Sequence, residues 1–165
     1  MTDAAAVRII ATFNRLFGAS HRVTMVGGGA EPLYEPATPT QPARVVFTYD
    51  YPASALHEAA HWCIAGSARR RRRDYGYAYA PGPREPIARS GFFASECDVQ
   101  AVEALLAEAC GVRFVISADD FAAPPEELED FERRVRERIT LRRVQGLPRR
   151  AEQFRDALRA EFGRG

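Results

Sequence analysis

Apolar side chains recur at helical spacing in five stretches of the sequence, and most of these stretches are bounded by residues that begin or end helices. In the first stretch, Val7, Ile10 and Phe17 return to one side of a helix, and Gly18 predicts its end. In the second, a proline stands near the first turn and Gly66 follows the last. The pattern predicts helices over residues 3–17, 52–65, 95–110, 125–145 and 149–162.

The third predicted helix has a start signal that also places a candidate acidic residue. Ser95 and Asp98 form a Ser-x-x-Asp pattern that resembles a capping box, in which both side chains cap the first turn. Val102 and Leu106 follow at helical spacing. If the helix begins at Ser95, Glu96 lies in its first turn and Asp98 is used for capping.

Strand composition is found in three short runs, at residues 22–26, 44–49 and 113–117. A proline-rich connection joins the first two runs. Tyr75, Tyr77 and Tyr79 alternate with small residues, which is typical of a strand with one tyrosine face. The order of these elements, without an internal repeat, predicts an α+β fold: a single compact domain over residues 1–165, with about five helices packed on a small β-sheet.

Composition and charge exclude several classes of protein. With 165 residues, 46% of them hydrophobic, the chain can fill one core, and its net charge of +1 argues against a general nucleic-acid binder. All 23 basic residues are arginine. The absence of lysine excludes both a lysine Schiff base and the lysine of a phosphate-binding P-loop.

The expected cellular location follows from features that the sequence lacks. No apolar stretch approaches the roughly 18 residues of a membrane span, and the amino terminus has no basic region of the kind that begins a signal peptide. The three cysteines are widely spaced, which favours neither a disulfide framework nor a cysteine-rich zinc site. We therefore expect a cytoplasmic protein without membrane contact.

The strongest chemical signal is a His-Glu-x-x-His motif in the second predicted helix. His57 and His61 are one helical turn apart, so that both imidazoles can bind one metal ion. Only one other histidine, His21, is present, which makes a chance match of this motif rare. The alternative is two ordinary helix histidines packed beside Trp62.

A metal site needs a third protein ligand, and the sequence offers four candidates. No histidine follows His61, so the third histidine of the extended zincin motif is absent. Glu96 is the preferred candidate, because its side chain is free to point away from the next helix. Asp98, Glu103 and His21 remain alternatives.

Two histidines and one carboxylate support two kinds of chemistry. With zinc, Glu58 would act as the general base of a hydrolase, such as a peptidase or ribonuclease. With ferrous iron, open coordination positions would accept dioxygen and substrate. A third possibility is a metal-stabilised module that is not an enzyme and docks through its arginines. The ligand types alone do not choose among these three.

The sequence resembles the bacterial elongation factor P hydroxylase family in several segments. The most specific is the string His-Glu-Ala-Ala-His-Trp-Cys-Ile-Ala-Gly at residues 57–66, within a similar segment at 53–70. The others are Glu-Pro-Leu-Tyr at 31–34, the tyrosine-rich segment 74–79, and Glu96 with Gln100 and Ala101. The resemblance extends in order from the first predicted helix to the last.

This resemblance implies an iron-dependent monooxygenase that hydroxylates the modified lysine of elongation factor P after a β-lysyl group has been added. It implies Fe(II) as the metal, with zinc possible in the purified protein, and dioxygen as cosubstrate; the electron donor stays open. His57, His61 and Glu96 would be the ligands, with Glu58 as an orienting residue. The histidine helix would have a zincin-like placement, and the fold would differ from the double-stranded β-helix of most iron oxygenases.

Two further groups of residues are candidates for substrate contacts. Tyr77 and Tyr79, with Tyr75, could line a substrate channel and hydrogen-bond a lysyl amine or an iron-bound oxygen, which makes Tyr77 and Tyr79 catalytic candidates; core packing of one strand face is the alternative. The arginine run at 69–73 contains Arg69, Arg70 and Arg71, which we interpret as a partner-binding segment; a solvated loop is the alternative.

Overall fold

The computed structural model describes residues 3–77, 84–118, 120 and 122–163. Within these ranges the chain has a three-stranded sheet, with β1 Val23–Gly29, β2 Leu33–Glu35 and β3 Ala43–Thr48 in the order β1-β3-β2. β1 runs parallel to β3, with Met25 opposite Val45, and β2 runs antiparallel to β3. β2 lies within the predicted proline-rich connection, and the loop from β2 to β3 contains Pro36, Pro39 and Pro42.

Six α-helices accompany this sheet within the described ranges, with α1 and α2 packed on its strands, and a 3-10 turn spans Arg73–Gly76. The helices are α1 Ala4–His21, α2 Pro52–Ile64, α3 Ser67–Arg70, α4 Pro86–Cys110, α5 Pro125–Gln145 and α6 Arg149–Phe162. The predicted α+β class is therefore confirmed, with a short sixth helix beyond the five that were predicted. No described helix is both long and apolar enough to cross a membrane.

The main core lies among the sheet, α1, α2, α4 and α6, and its centre is aromatic. Phe13 and Phe17 pack against the Trp62 indole, Phe154 packs against Phe13, and all four side chains are almost fully buried. A smaller core forms between α4 and α5, where Phe93 stacks on Phe131. Because Trp62 follows the histidine motif directly, this packing fixes the rotation of α2 about its axis.

The rotation of α2 separates its apolar side from its polar side. Leu56, Ala59 and Ala60 are fully buried in the main core. His57 and Glu58 are only partly buried and line a cavity. The apolar residues of the motif region thus hold the helix in place, and its polar residues face open space.

The start of the third predicted helix was wrong. α4 begins at Pro86, a residue that suits the first turn of a helix, so Ser95 lies well inside it. The Ser95 hydroxyl donates to the Phe92 carbonyl and caps nothing, and Asp98 pairs with Arg142 of α5. Glu96 is consequently an interior helix residue and not a first-turn acid.

Two predicted strands were also wrong. Residues 113–117 have no regular structure, and Ser117 bonds the Gln100 side chain instead of a neighbouring strand. Tyr75 lies in the 3-10 turn with a φ of 59°, outside the strand region. Tyr77 follows in irregular structure, and Tyr79 lies outside the described residues. β2 has only three residues, and the sequence pattern places them in the proline-rich connection instead of a strand.

Candidate metal centre

The two motif histidines lie side by side on α2. The ring centroids of His57 and His61 are 4.9 Å apart, and both rings line a cavity of about 650 Å³. This arrangement follows from the four-residue spacing on one helix, as the sequence predicted.

Glu96 of α4 approaches both imidazoles. Its Oε1 lies 3.2 Å from Nε2 of His61, and its Oε2 lies 3.6 Å from Nε2 of His57. One ligand atom from each of the three residues lies within 4.8 Å of the other two. The structure thus brings together the three residues that the sequence preferred as ligands, although Glu96 arrives from the middle of α4.

The other candidate ligands have different positions. His21 ends α1, where its Nδ1 lies 2.8 Å from the Ser20 hydroxyl and its ring packs on Trp62. Asp98 makes two hydrogen bonds with the Arg142 guanidinium, at 2.8 and 2.6 Å. Neither residue belongs to the group of three.

Glu103 contacts the Nδ1 side of the His57 ring. Its Oε2 lies 2.7 Å from Nδ1 of His57, so that the imidazole donates to the carboxylate on one side and presents Nε2 on the other. Metal-binding histidines commonly have such a carboxylate partner, which fixes the ring and its tautomer. Glu103 therefore has the geometry of an orienting residue, a role that the sequence analysis missed when it weighed this residue as a ligand.

Gln100 holds Glu96 in the same way. Its Nε2 donates to Oε2 of Glu96 at 3.1 Å and to the Ser117 carbonyl at 2.6 Å, while its Oε1 accepts from the Ser117 amide at 3.1 Å. Glu96, Gln100 and Glu103 are all nearly buried on an otherwise apolar part of α4. Buried polar residues at positions i, i+4 and i+7 were the signal in the sequence that could have identified this row.

The electrostatics of the centre favour a cation. Burial alone would lower the pKa of His57, but the carboxylates of Glu96 and Glu103 outweigh it and raise that pKa well above its ordinary value. Burial alone would raise the pKa of Glu96, but His57 and His61 hold it well below its ordinary value. The lowered pKa of Glu96 and the raised pKa of His57 thus favour positive charge at the imidazoles, which a metal ion can supply in place of a proton.

Glu58 lines the same cavity but stands outside this network. In the part of the chain that the structure describes, its carboxylate makes no hydrogen bond and no ion pair. Burial raises its pKa, and the nearby His61 and His57 act in the opposite direction. A half-buried carboxylate without a partner is unfavourable, so its position calls for a functional explanation.

Tyrosines form part of the cavity wall. Tyr75 stacks on Tyr34, with ring centroids 4.2 Å apart, and lies nearly parallel to the His61 ring at 6.1 Å. Burial raises the pKa of Tyr75 well above its ordinary value, and the nearby Glu58 carboxyl raises it further. Tyr77 is 45% exposed, with its ring 6.5 Å from that of His61. The predicted catalytic roles of Tyr77 and Tyr79 stay predictions.

The arginine run is divided between structural contacts and solvent. The Arg69 guanidinium lies 4.5 Å from the centre of the Tyr77 ring, and Arg70 donates to the Ala65 carbonyl at 2.6 Å. Arg71 is exposed. Arg69 and Arg70 thus hold the segment beside the cavity, and partner binding by Arg69, Arg70 and Arg71 stays a prediction.

Cysteine chemistry does not contribute to the centre. All three cysteines are buried and free, and burial raises the pKa of Cys63, on the motif helix, to about 12. The Cys63 thiol is therefore protonated at neutral pH and is a poor nucleophile.

Two comparisons with known proteins match most of this chain. A family model described as elongation factor P hydroxylase matches residues 12–165, a range that contains every residue of the centre. A curated relative from Haemophilus influenzae, named elongation factor P lysine hydroxylase, is 40% identical over 155 residues. That alignment covers 93% of this chain and 87% of the relative.

Proposed function

This chain belongs to the elongation factor P hydroxylase family, and on that premise we propose that it hydroxylates a lysine-derived side chain of elongation factor P. The observation that carries the proposal is the convergence of His57 and His61 from α2 with Glu96 from α4. Two imidazoles and one carboxylate with open coordination positions are the ligand set of non-haem iron oxygenases. The family and the donor set therefore favour the same chemistry.

We propose Fe(II) as the metal, bound by His57, His61 and Glu96, with zinc as a substitute in purified protein. The ligand set fits such an ion, because the donor atoms converge and Glu103 already orients His57. Bound iron would supply the ability to activate dioxygen. One oxygen atom enters a C–H bond of the substrate and the other leaves as water, which requires two electrons and two protons from a reductant.

The protein's own residues hold and enclose the reacting groups. Glu103 and Gln100 fix the orientations of His57 and Glu96, so that the cavity side of the centre stays open. Tyr34 and Tyr75 form an aromatic wall that limits water around the substrate side chain. The cavity of about 650 Å³ has the size of a small-molecule site and can take a long aliphatic side chain.

The proposed substrate is the lysine of elongation factor P after addition of a β-lysyl group, as the family resemblance implies. The protein would act in the cytoplasm, where its substrate works in translation. Direct binding of nucleic acid is not part of the proposal, in keeping with the net charge of +1.

The alternative of a zinc hydrolase receives no support from the comparisons, which match hydroxylases. The two chemistries make different predictions for metal and oxygen. A hydrolase would work with zinc and without dioxygen, and Glu58 would be its base. A monooxygenase depends on iron and on dioxygen.

The deciding experiment tests whether the substrate gains one oxygen atom. Anaerobically purified, iron-loaded protein is mixed with β-lysylated elongation factor P and a reductant, air is admitted, and the intact mass of the substrate is followed. We expect a gain of one oxygen atom that requires iron and dioxygen and is abolished by His57→Ala or Glu96→Ala. Labelled dioxygen should supply the added atom. No mass gain in the complete mixture, or an equal gain without dioxygen, would contradict the proposal.

A further inference from the structure

Glu58 is an acidic residue in the cavity whose role the metal centre does not explain. It directly follows His57 in sequence and lies three residues before His61, so it flanks the candidate ligands on α2. Glu96 and Glu103 are both engaged by imidazoles, whereas Glu58 makes neither a hydrogen bond nor an ion pair within the described ranges. A donor from outside the protein would satisfy this carboxylate.

Tyr75 supplies a second, independent sign of a missing ligand. Its side chain lines the cavity and is only 4% exposed, and its hydroxyl has no hydrogen-bond partner among the described residues. Buried tyrosine hydroxyls are normally bonded. Two side chains that line the cavity, Glu58 and Tyr75, thus have polar groups without a partner among the described residues.

The backbone around Tyr75 is strained, which indicates that its position matters. Asp74 and Tyr75 both have left-handed conformations, with φ of 49° and 59°, although neither is glycine. Such conformations persist only where surrounding contacts impose them, and they are frequent at ligand sites. Here the Tyr34 amide donates to the Asp74 carboxylate at 3.0 Å, and the Tyr34 ring stacks on Tyr75.

A primary ammonium fits the combination of these groups. An ammonium has three N–H donors, which suit a carboxylate and a hydroxyl oxygen, and its charge is attracted to aromatic faces. The cavity also contains two arginines, Arg73 and Arg84, and the Arg84 guanidinium stacks over Phe92 at 3.8 Å. In the described part of the chain the Glu58 carboxylate has no ion-pair partner, so it is available to a cation.

We propose that Glu58 and Tyr75 together bind a primary ammonium group of the substrate side chain and thereby hold the neighbouring carbon chain beside the metal centre. The identity of the substrate rests on the proposed function, whereas the assignment of these two residues rests on the cavity. In this role Glu58 contacts substrate and is not a base that activates water. The site would discriminate against side chains whose amines have been neutralised.

The test compares charged and neutralised forms of one substrate. The full chain is loaded with Zn(II), which prevents turnover, and titrated calorimetrically with β-lysylated elongation factor P or with the same protein after acetylation of its amines. We expect the wild type to favour the amine form by roughly ten- to a hundredfold, the range for a hydrogen bond to a charged group. Glu58→Gln should lose this preference while keeping its zinc content.

Matched variants separate ligand binding from a structural effect. Glu35→Gln changes a carboxylate on β2 that pairs with Arg44 outside the cavity, and it should keep the full preference. Glu58→Asp should restore part of it. Tyr75→Phe, which removes only the hydroxyl, should weaken binding of the amine form by a smaller factor. Failure of Glu58→Gln to alter the preference, with zinc bound normally, would overturn the assignment.

The two proposals can fail separately. To show this, Nα-acetyl-lysine amide and its ε-acetylated form serve as small probes that do not depend on elongation factor P. Preference for the charged probe that requires Glu58, without any oxygen gain in elongation factor P, would leave the ammonium site standing and remove the hydroxylase proposal. Normal hydroxylation with an unchanged KM in Glu58→Gln would leave the hydroxylase proposal standing and remove the ammonium site.

Discussion

A single carboxylate behind His57 controls how well the centre can hold a metal. The 2.7 Å contact between Glu103 and His57 Nδ1 turns Nε2 toward Glu96 and leaves Nε2 as the ring atom available to a metal ion. Without the negative charge, the ring is a weaker donor and can rotate. Glu103, which the sequence offered as a candidate ligand, is thus placed to orient the candidate ligand His57.

Replacement of Glu103 by glutamine should weaken metal binding without removing a ligand. We expect about a 10- to 100-fold loss of affinity, the usual cost of losing such an orienting partner. Competition with a chromophoric chelator for Zn(II) measures it. Glu108→Gln is the matched control, because Glu108 lies on the same helix and pairs with Arg143 at the surface. Equal affinities for Glu103→Gln and the wild type would show that the contact has no orienting role.

Among the helices, α2 has a C-terminal end that is stabilised by arginines. Arg150 of α6 donates to the carbonyls of Trp62, Cys63 and Ala65 at 3.0, 2.9 and 2.5 Å, and its guanidinium lies over the Trp62 ring. Arg70 donates to the same Ala65 carbonyl. Positive charge at this end also complements the helix dipole. The helix that carries both candidate histidine ligands is thereby fixed to α6.

Arg150→Met should destabilise the fold more than a typical surface change. Loss of a charged hydrogen-bond donor to these carbonyls should lower the free energy of unfolding by roughly 1.5–3 kcal/mol. Loss of the contact with Trp62 should lower it further. The loss is measured as a lower free energy of unfolding in urea. Arg149→Met, at the neighbouring exposed position, is the control and should stay within about 0.5 kcal/mol of the wild type. Similar effects of the two substitutions would argue against a role for Arg150 at the end of α2.

The elements show where sequence patterns succeed and where they fail. α2 and α6 were predicted closely, because each has helical spacing between proline or glycine boundaries. The beginning of α4 was missed because Ser95 and Asp98 matched a local capping pattern, while in the fold their side chains bond elsewhere. Residues 113–117 have strand composition but pair with none of the described strands, so tertiary context decides their conformation.

The candidate centre exists only because α2 and α4 pack together in the folded chain. The His57–His61 spacing is local, so the sequence predicted it. Glu96 joins them through a long-range helix contact, and the sequence could only rank it among several acids. The supporting contacts of Gln100 and Glu103 depend on that packing as well, and no local pattern assigns their partners.

Because the ligands come from two helices that are distant in sequence, metal binding should stabilise the entire fold. An ion at 100 times its Kd adds about 2.7 kcal/mol when it binds only the native state, which for a chain of this size corresponds to a rise in Tm of roughly 5–10 °C. Differential scanning fluorimetry of chelator-treated protein, with and without added Zn(II), measures the shift. Glu96→Ala removes the contribution of α4 and should abolish most of the stabilisation, whereas Glu108→Gln should retain it. A full shift in Glu96→Ala would mean that the ion binds without joining the two helices, and the centre described here would then not be the metal site.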